Sequence, residues 1–84
     1  MNNKIFDKNW KQIRSQTTAW WSLMGEFDLK KVDKSTNKLD KYATMLQVKY
    51  GYSRKQAKDE ITRRLVEFKA EQAKMIGDMA NKNQ

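Results

Sequence analysis

The chain contains no cysteine, no histidine and no proline, and only three glycines in 84 residues. Without cysteine there are no disulfides and no thiolate metal sites. Without histidine the commonest general base and metal ligand is missing. The lack of proline and the scarcity of glycine favour long uninterrupted helices over strands and turns. No apolar stretch approaches the roughly 18 residues of a membrane-spanning helix. No run of five or more basic residues forms a polybasic tail. The first residues, Met1 to Asp7, lack the apolar centre of a signal peptide. The expectation is a soluble, cytoplasmic protein.

What is present is a single small domain with an excess of positive charge. A chain of roughly 60 folded residues buries only about 60% of its unfolded surface, which leaves little room for an enclosed pocket. Eighteen Lys and Arg against ten Asp and Glu give a formal charge of +8. The excess is spread along the chain: +3 over residues 1–35 (7 minus 4), +4 over 36–68 (8 minus 4) and +1 over 69–84 (3 minus 2).

Hydrophobic spacing points to helices throughout. Phe6, Trp10, Ile13, Thr17, Trp20, Trp21 and Met24 recur three and four residues apart and predict a helix over 7–24. Asp7 or Asn9 is the candidate cap at its start and Gly25 its stop. Adjacent Trp20 and Trp21 cannot both be central. Residues 25–37 read as a connector with a short helical piece, capped by Asp28 and carrying Leu29 and Val32. Asn37, with Asp40 three residues later, resembles a further start. One continuous helix from about 29 to 50 is the alternative, since Val32 falls on the face of Leu39. Over 37–50, Leu39, Tyr42, Ala43, Leu46 and Tyr50 make the buried face; Lys38, Lys41 and Gln47 point away, and Met45 and Val48 lie off the main face.

The stretch Lys49 to Ala57 carries the clearest local signal. Gly51 supplies the left-handed residue that closes a helix. Ser53 caps the next one, and Gln56 completes a capping box. Tyr52 stands at the staple position, to pack on Ala57. From there Ala57, Ile61, Leu65 and Phe68 form a seam that continues through Gln72, Met75 and Met79. A helix over 53–80 would be about 42 Å long, more than so small a domain covers. Residues 69–84 therefore read as a helical or frayed extension, and Gly77 and the polar end favour fraying.

The opening Asn9-Trp10-Lys11-Gln12 followed by Ile13, Trp21, Asp28-Leu29, Asp40, Leu46, Tyr50-Gly51-Tyr52, Gln56-Ala57 and Glu60 together resemble the CsbD-like family of small bacterial general stress-response proteins. The resemblance covers about residues 7–68. It implies an all-α domain, a small bundle of about four helices packed as two steeply crossed hairpins. It also implies accumulation under general stress with no catalytic, cofactor or ligand residues to carry over. The chain departs from the family pattern at Ser15 and Asn37, where members usually have glycine, and between Val32 and Tyr50, which is slightly longer.

The residues themselves suggest no enzyme. Glu26, Asp28 and Asp33 cluster in sequence without calcium-loop spacing, and no deep pocket is expected to raise a carboxyl pKa. No metal site, cofactor or phosphate loop is expected. Trp10, Trp20 and Trp21 have the composition of a base-stacking platform, but their register favours the core. Arg54, Lys55, Lys58 and Lys69 lie along one flank of the last helix and are the candidate phosphate contacts for nucleic acid bound without sequence preference. A solvated charged face is the better reading of them. Met75, Ile76 and Met79 are candidates for weak self-association through the last helix. Attachment of an amphipathic tail to anionic membrane is disfavoured by the tail's charge of only +1.

Overall fold

The structure, a computed structural model, describes the backbone of residues 1–82 and the side chains of residues 1–74. The described residues form five helices: α1 (Asn3–Lys8), α2 (Trp10–Trp20), α3 (Glu26–Asp33), α4 (Lys38–Tyr50) and α5 (Arg54–Lys82). There is no strand among the described residues. α4 is the central element, with α1, α3 and α5 all packed against it.

The single helix expected over 7–24 is two helices, displaced toward the N-terminus. Asn2, not Asp7 or Asn9, opens α1: its Oδ1 accepts the Ile5 N–H at 2.9 Å. Asn9 then interrupts the run. Its backbone N–H bonds both Ile5 O and Phe6 O, and its side-chain amide donates to Ile5 O at 2.8 Å. The ladder is tightened rather than lost, because the Ile13 N–H still reaches Asn9 O at 2.9 Å. Phe6 therefore remains stacked on Trp10, with ring centroids 5.6 Å apart.

α2 stops at Trp20, four residues before the expected end. Trp21 leaves helical backbone at φ −136° and ψ 98°. Two neighbours on a continuous helix diverge by 100°, so only a break lets Trp21 turn fully inward. Trp21 is buried, while Trp20 is half-buried and edge-on to it.

Gly25, expected to end the first helix, is the N-cap of α3 instead. Asp28 is not the cap. It sits three residues inside and accepts the Gly25 N–H at 3.1 Å. α3 and α4 are separate helices. Asn37 Oδ1 accepts the Asp40 N–H at 3.2 Å, and Ser35 Oγ accepts the Asn37 N–H at 3.1 Å, so the link is fastened by its own side chains.

The α4–α5 junction agrees with the local reading. Gly51 has φ 72° and its N–H reaches Gln47 O at 2.9 Å. Ser53 Oγ accepts the Gln56 N–H at 3.1 Å, and Gln56 Oε1 accepts the Ser53 N–H at 2.9 Å. Gly51→Val is expected to lower the unfolding free energy in urea by about 1–2 kcal/mol or more, because an L residue is strained at that φ. An unchanged midpoint would contradict it. No neighbour lies within 4 Å of a Cβ placed there, so the cost is backbone strain and not a clash.

Tyr42 is the hub of the core. Its ring meets Phe6 at 5.4 Å, Trp10 at 5.9 Å and Trp21 at 6.0 Å, in edge-on geometry. Ile13, Met24, Leu29, Val32, Leu39, Ala43, Met45 and Leu46 close around it. α5 contributes one stripe, Ala57, Ile61 and Leu65. Phe68, expected in the core, is at its margin, edge-on to Trp20 at 6.3 Å. At 1.5 Å per residue α5 runs about 43 Å, which accounts for the 49 × 24 × 23 Å extents of the molecule.

Candidate nucleic-acid interface

A polyanion is held by cations that the protein's own carboxylates have not already neutralised. The ion pairs decide which those are. Arg14 spans Glu26 at 2.5 Å and Asp33 at 3.0 Å. Asp33 also accepts the Trp10 indole N–H at 2.8 Å, so this cluster ties α2 to α3. Lys49 holds Asp28 at 3.1 Å. Arg54 pairs with Asp40 and also donates to Thr44 Oγ1 and Gln47 Oε1, fastening the start of α5 to α4. Lys55 pairs with Asp59 at 2.7 Å, and Arg63 with both Glu60 and Glu67.

Of the four residues expected to meet phosphate, Arg54 and Lys55 are therefore already engaged by carboxylates. Lys58 and Lys69 make no ion pair among the described residues and share a flank of α5. Met75, Ile76 and Met79 lie outside the described side chains.

The α3–α4 hairpin carries a different balance. Its four carboxylates, Glu26, Asp28, Asp33 and Asp40, are all paired with Arg14, Lys49 or Arg54. Lys30, Lys31, Lys34, Lys38 and Lys41 form no ion pair among the described residues. Five cations are thus left over on one hairpin.

The two helices run antiparallel, Asp28 meeting Lys49, and leave an open hollow of about 310 Å³ between them. Lys31, Lys41, Lys49, Asp28 and Thr44 line it with Met45 and Val48. Val48 is 80% exposed, and Phe27, on the outer side of α3, is 72% exposed. The Lys31 ammonium sits 4.4 Å from the centre of the Phe27 ring.

A second hollow, of about 250 Å³, lies between α1 and α5 and is almost wholly apolar. Met1, Ile5, Leu65 and Val66 line it, with Lys69 at its edge.

The paired carboxylates are shifted as their partners dictate. The Arg14 hydrogen bond holds Glu26 below its ordinary value, and it does the same for Asp33 against some burial. Burial pushes Asp28 up, but the Lys49 hydrogen bond and the Gly25 N–H outweigh it and leave the group low. Arg63 holds Glu60 low. A carboxylate depressed in the folded state contributes stability that is present above its unfolded pKa and lost as pH falls through the folded one. Thermal stability is therefore expected to hold down to about pH 4.5 and to fall below it. Arg14→Gln should be less stable at pH 7 and show a shallower acid loss. Parallel acid limbs in the two proteins would contradict this.

No family model, curated protein or solved structure matches the chain.

Phe27 was not legible as a surface group, because an Asp28 cap would have left it in the connector. With α3 starting at Glu26, Phe27 falls about 200° from Leu29 and 140° from Val32 on a 100° wheel, which is the solvent side. Among the described residues no cluster of carboxylates fits a metal ion.

Proposed function

We propose that this is a non-enzymatic, cytoplasmic binding protein of the bacterial stress-response type that the CsbD-like resemblance implies, and that it associates with nucleic acid through phosphate contacts without reading sequence. The observation that carries the reading is the charge balance of the α3–α4 hairpin. Its carboxylates are spent on Arg14, Lys49 and Arg54, which leaves Lys30, Lys31, Lys34, Lys38 and Lys41 to an external anion. Steeply crossed hairpins, with α3–α4 as one of them, belong to the same reading. Lys58 and Lys69 extend the cationic surface onto α5.

Salt dependence is the test. Each phosphate contact adds about 0.7 to the slope of log affinity against log salt for a single strand. Five contacts predict a loss on the order of a hundred-fold between about 50 and 200 mM salt. Binding of a random-sequence oligonucleotide, measured by fluorescence anisotropy at both concentrations, checks it. Absence of binding at the lower salt refutes the reading and leaves the charge as a solubility feature.

A further inference from the structure

Beside the hollow between α3 and α4, with its surplus charge, the outer side of α3 carries an aromatic face that the core does not use. Phe27 is the most exposed aromatic ring of the described chain, and it stands one helical turn before Lys31 on the same face. An exposed phenyl ring costs solubility and contributes little to packing here, since the inner face of α3 is supplied by Leu29 and Val32. One side of the ring meets the Lys31 ammonium, and exposure leaves the rest free. Lys31 and Lys41 stand on opposite walls of the hollow, whose floor is Met45 and Val48. The one acidic wall residue, Asp28, is neutralised by Lys49.

Resting on the nucleic-acid reading, we propose that the hollow together with the adjoining Phe27 ring on the outer side of α3 is a site for single-stranded nucleic acid. Phe27 stacks on an unpaired base, and Lys31 and Lys41 take the phosphates on either side of it. A single strand is specified because a protruding ring needs a free base face, and a duplex presents its bases already stacked. The hollow is open and small, at the lower end of the roughly 300–1,000 Å³ of ligand pockets. That suits one nucleotide of a longer strand. No hydrogen-bonding side chain of the hollow other than Thr44 is uncharged, so base identity is not read strongly.

The test is anisotropy titration of the full chain with a labelled oligothymidylate and with a duplex of equal length, at about 50 mM salt, where phosphate contacts are strong. The wild type is expected to prefer the single strand. Phe27→Ala should weaken single-strand binding by about five- to a hundred-fold, the value of one base–aromatic stack, and Phe27→Tyr should restore it. Lys31→Gln and Lys41→Gln should each lower the salt slope by about 0.7. These residues are at the surface, and unchanged circular dichroism melting keeps the comparison clean.

If the wild type binds but Phe27→Ala is silent, the site is overturned while nucleic-acid association stands. The same holds if Lys58→Gln with Lys69→Gln costs more than Lys31→Gln with Lys41→Gln. If the wild type binds neither strand nor duplex, both readings fail. Retention on phosphatidylserine vesicles without oligonucleotide binding also overturns the proposal, in favour of a membrane surface.

Discussion

Tyr42→Ala is expected to destabilise the protein by about 3–5 kcal/mol, the usual cost of removing a buried aromatic side chain. That is a large share of the roughly 5–15 kcal/mol available to a domain of ordinary stability. The reason is the position of the ring. Phe6, Trp10 and Trp21 reach it from α1, from α2 and from the residue that ends α2, and each edge-on pair adds to simple burial. An alanine leaves all three facing a void that none can fill alone. Urea unfolding followed by tryptophan fluorescence measures the loss. A change below about 1 kcal/mol, the scale of a surface substitution, would mean that the cluster is not what holds α1 and α2 to α4.

Tyr42→Phe separates ring from hydroxyl. The Thr17 hydroxyl donates to Ile13 O at 2.7 Å, so its hydrogen is already used. The 2.8 Å contact between the two hydroxyls is then a bond donated by Tyr42. Its removal should cost about 0.5–1.5 kcal/mol. The hydroxyl also sets the alkaline limit. Burial pushes its pKa up. Above the ordinary tyrosine value near 10 the unfolded chain releases this proton while the folded one keeps it. Stability is therefore lost as pH rises from about 10 toward the raised value. Tyr42→Phe should remove that part of the decline, which thermal melts between pH 9 and 12, a window of about three units around the ordinary value, would reveal.

Ile61→Ala carries the second large effect, about 2–5 kcal/mol. Among the described residues α5 contributes only Ala57, Ile61 and Leu65 to the buried stripe, and Ile61 is the middle one. Alanine already stands at 57, so Leu65 is the one large neighbour on the described stripe that could lean into the gap. The loss is also expected to be local. Hydrogen exchange should quicken over residues 54–68 before it does over α4, because few other apolar contacts hold the start of α5. Phe68 against Trp20 and the Arg54 bonds to α4 resist this. Uniform loss of protection would show instead that α5 and α4 unfold as one unit.

Local chemistry made much of the architecture legible. Gly51, Ser53 and Gln56 act within a few residues of one another, so their spacing alone specifies a left-handed stop and a reciprocal cap, and both are present. Asn37 and the periodic face Leu39, Tyr42, Ala43 and Leu46 belong to the same class. Asp7 or Asn9 is the expected start; Asn9 ends α1 and stands at the N-cap position of α2 without a side-chain cap bond. Gly25, the expected stop, is the N-cap of α3. Where α2 ends depends on which way Trp21 turns, and its partners Tyr42 and Tyr52 lie 21 and 31 residues away.

The candidate interface was less legible for the same reason. A count of charges in sequence points to α5, where Arg54, Lys55, Lys58 and Lys69 fall on one flank. Which cations remain unneutralised depends on carboxylates brought up from other helices. Asp40 reaches Arg54 across the α4–α5 junction, and Arg14 reaches Glu26 and Asp33 across α2 and α3. The sequence by itself determined the all-helical class, the α4–α5 joint and the apolar stripes, because each follows from interactions within one or two turns. Only the tertiary structure decided where the first helix breaks, that Phe27 faces solvent, and that Lys30, Lys31, Lys34, Lys38 and Lys41 on α3–α4 keep no carboxylate partner among the described residues. Those outcomes are set by pairings between residues far apart in the chain, and their energies exist only once the helices have packed.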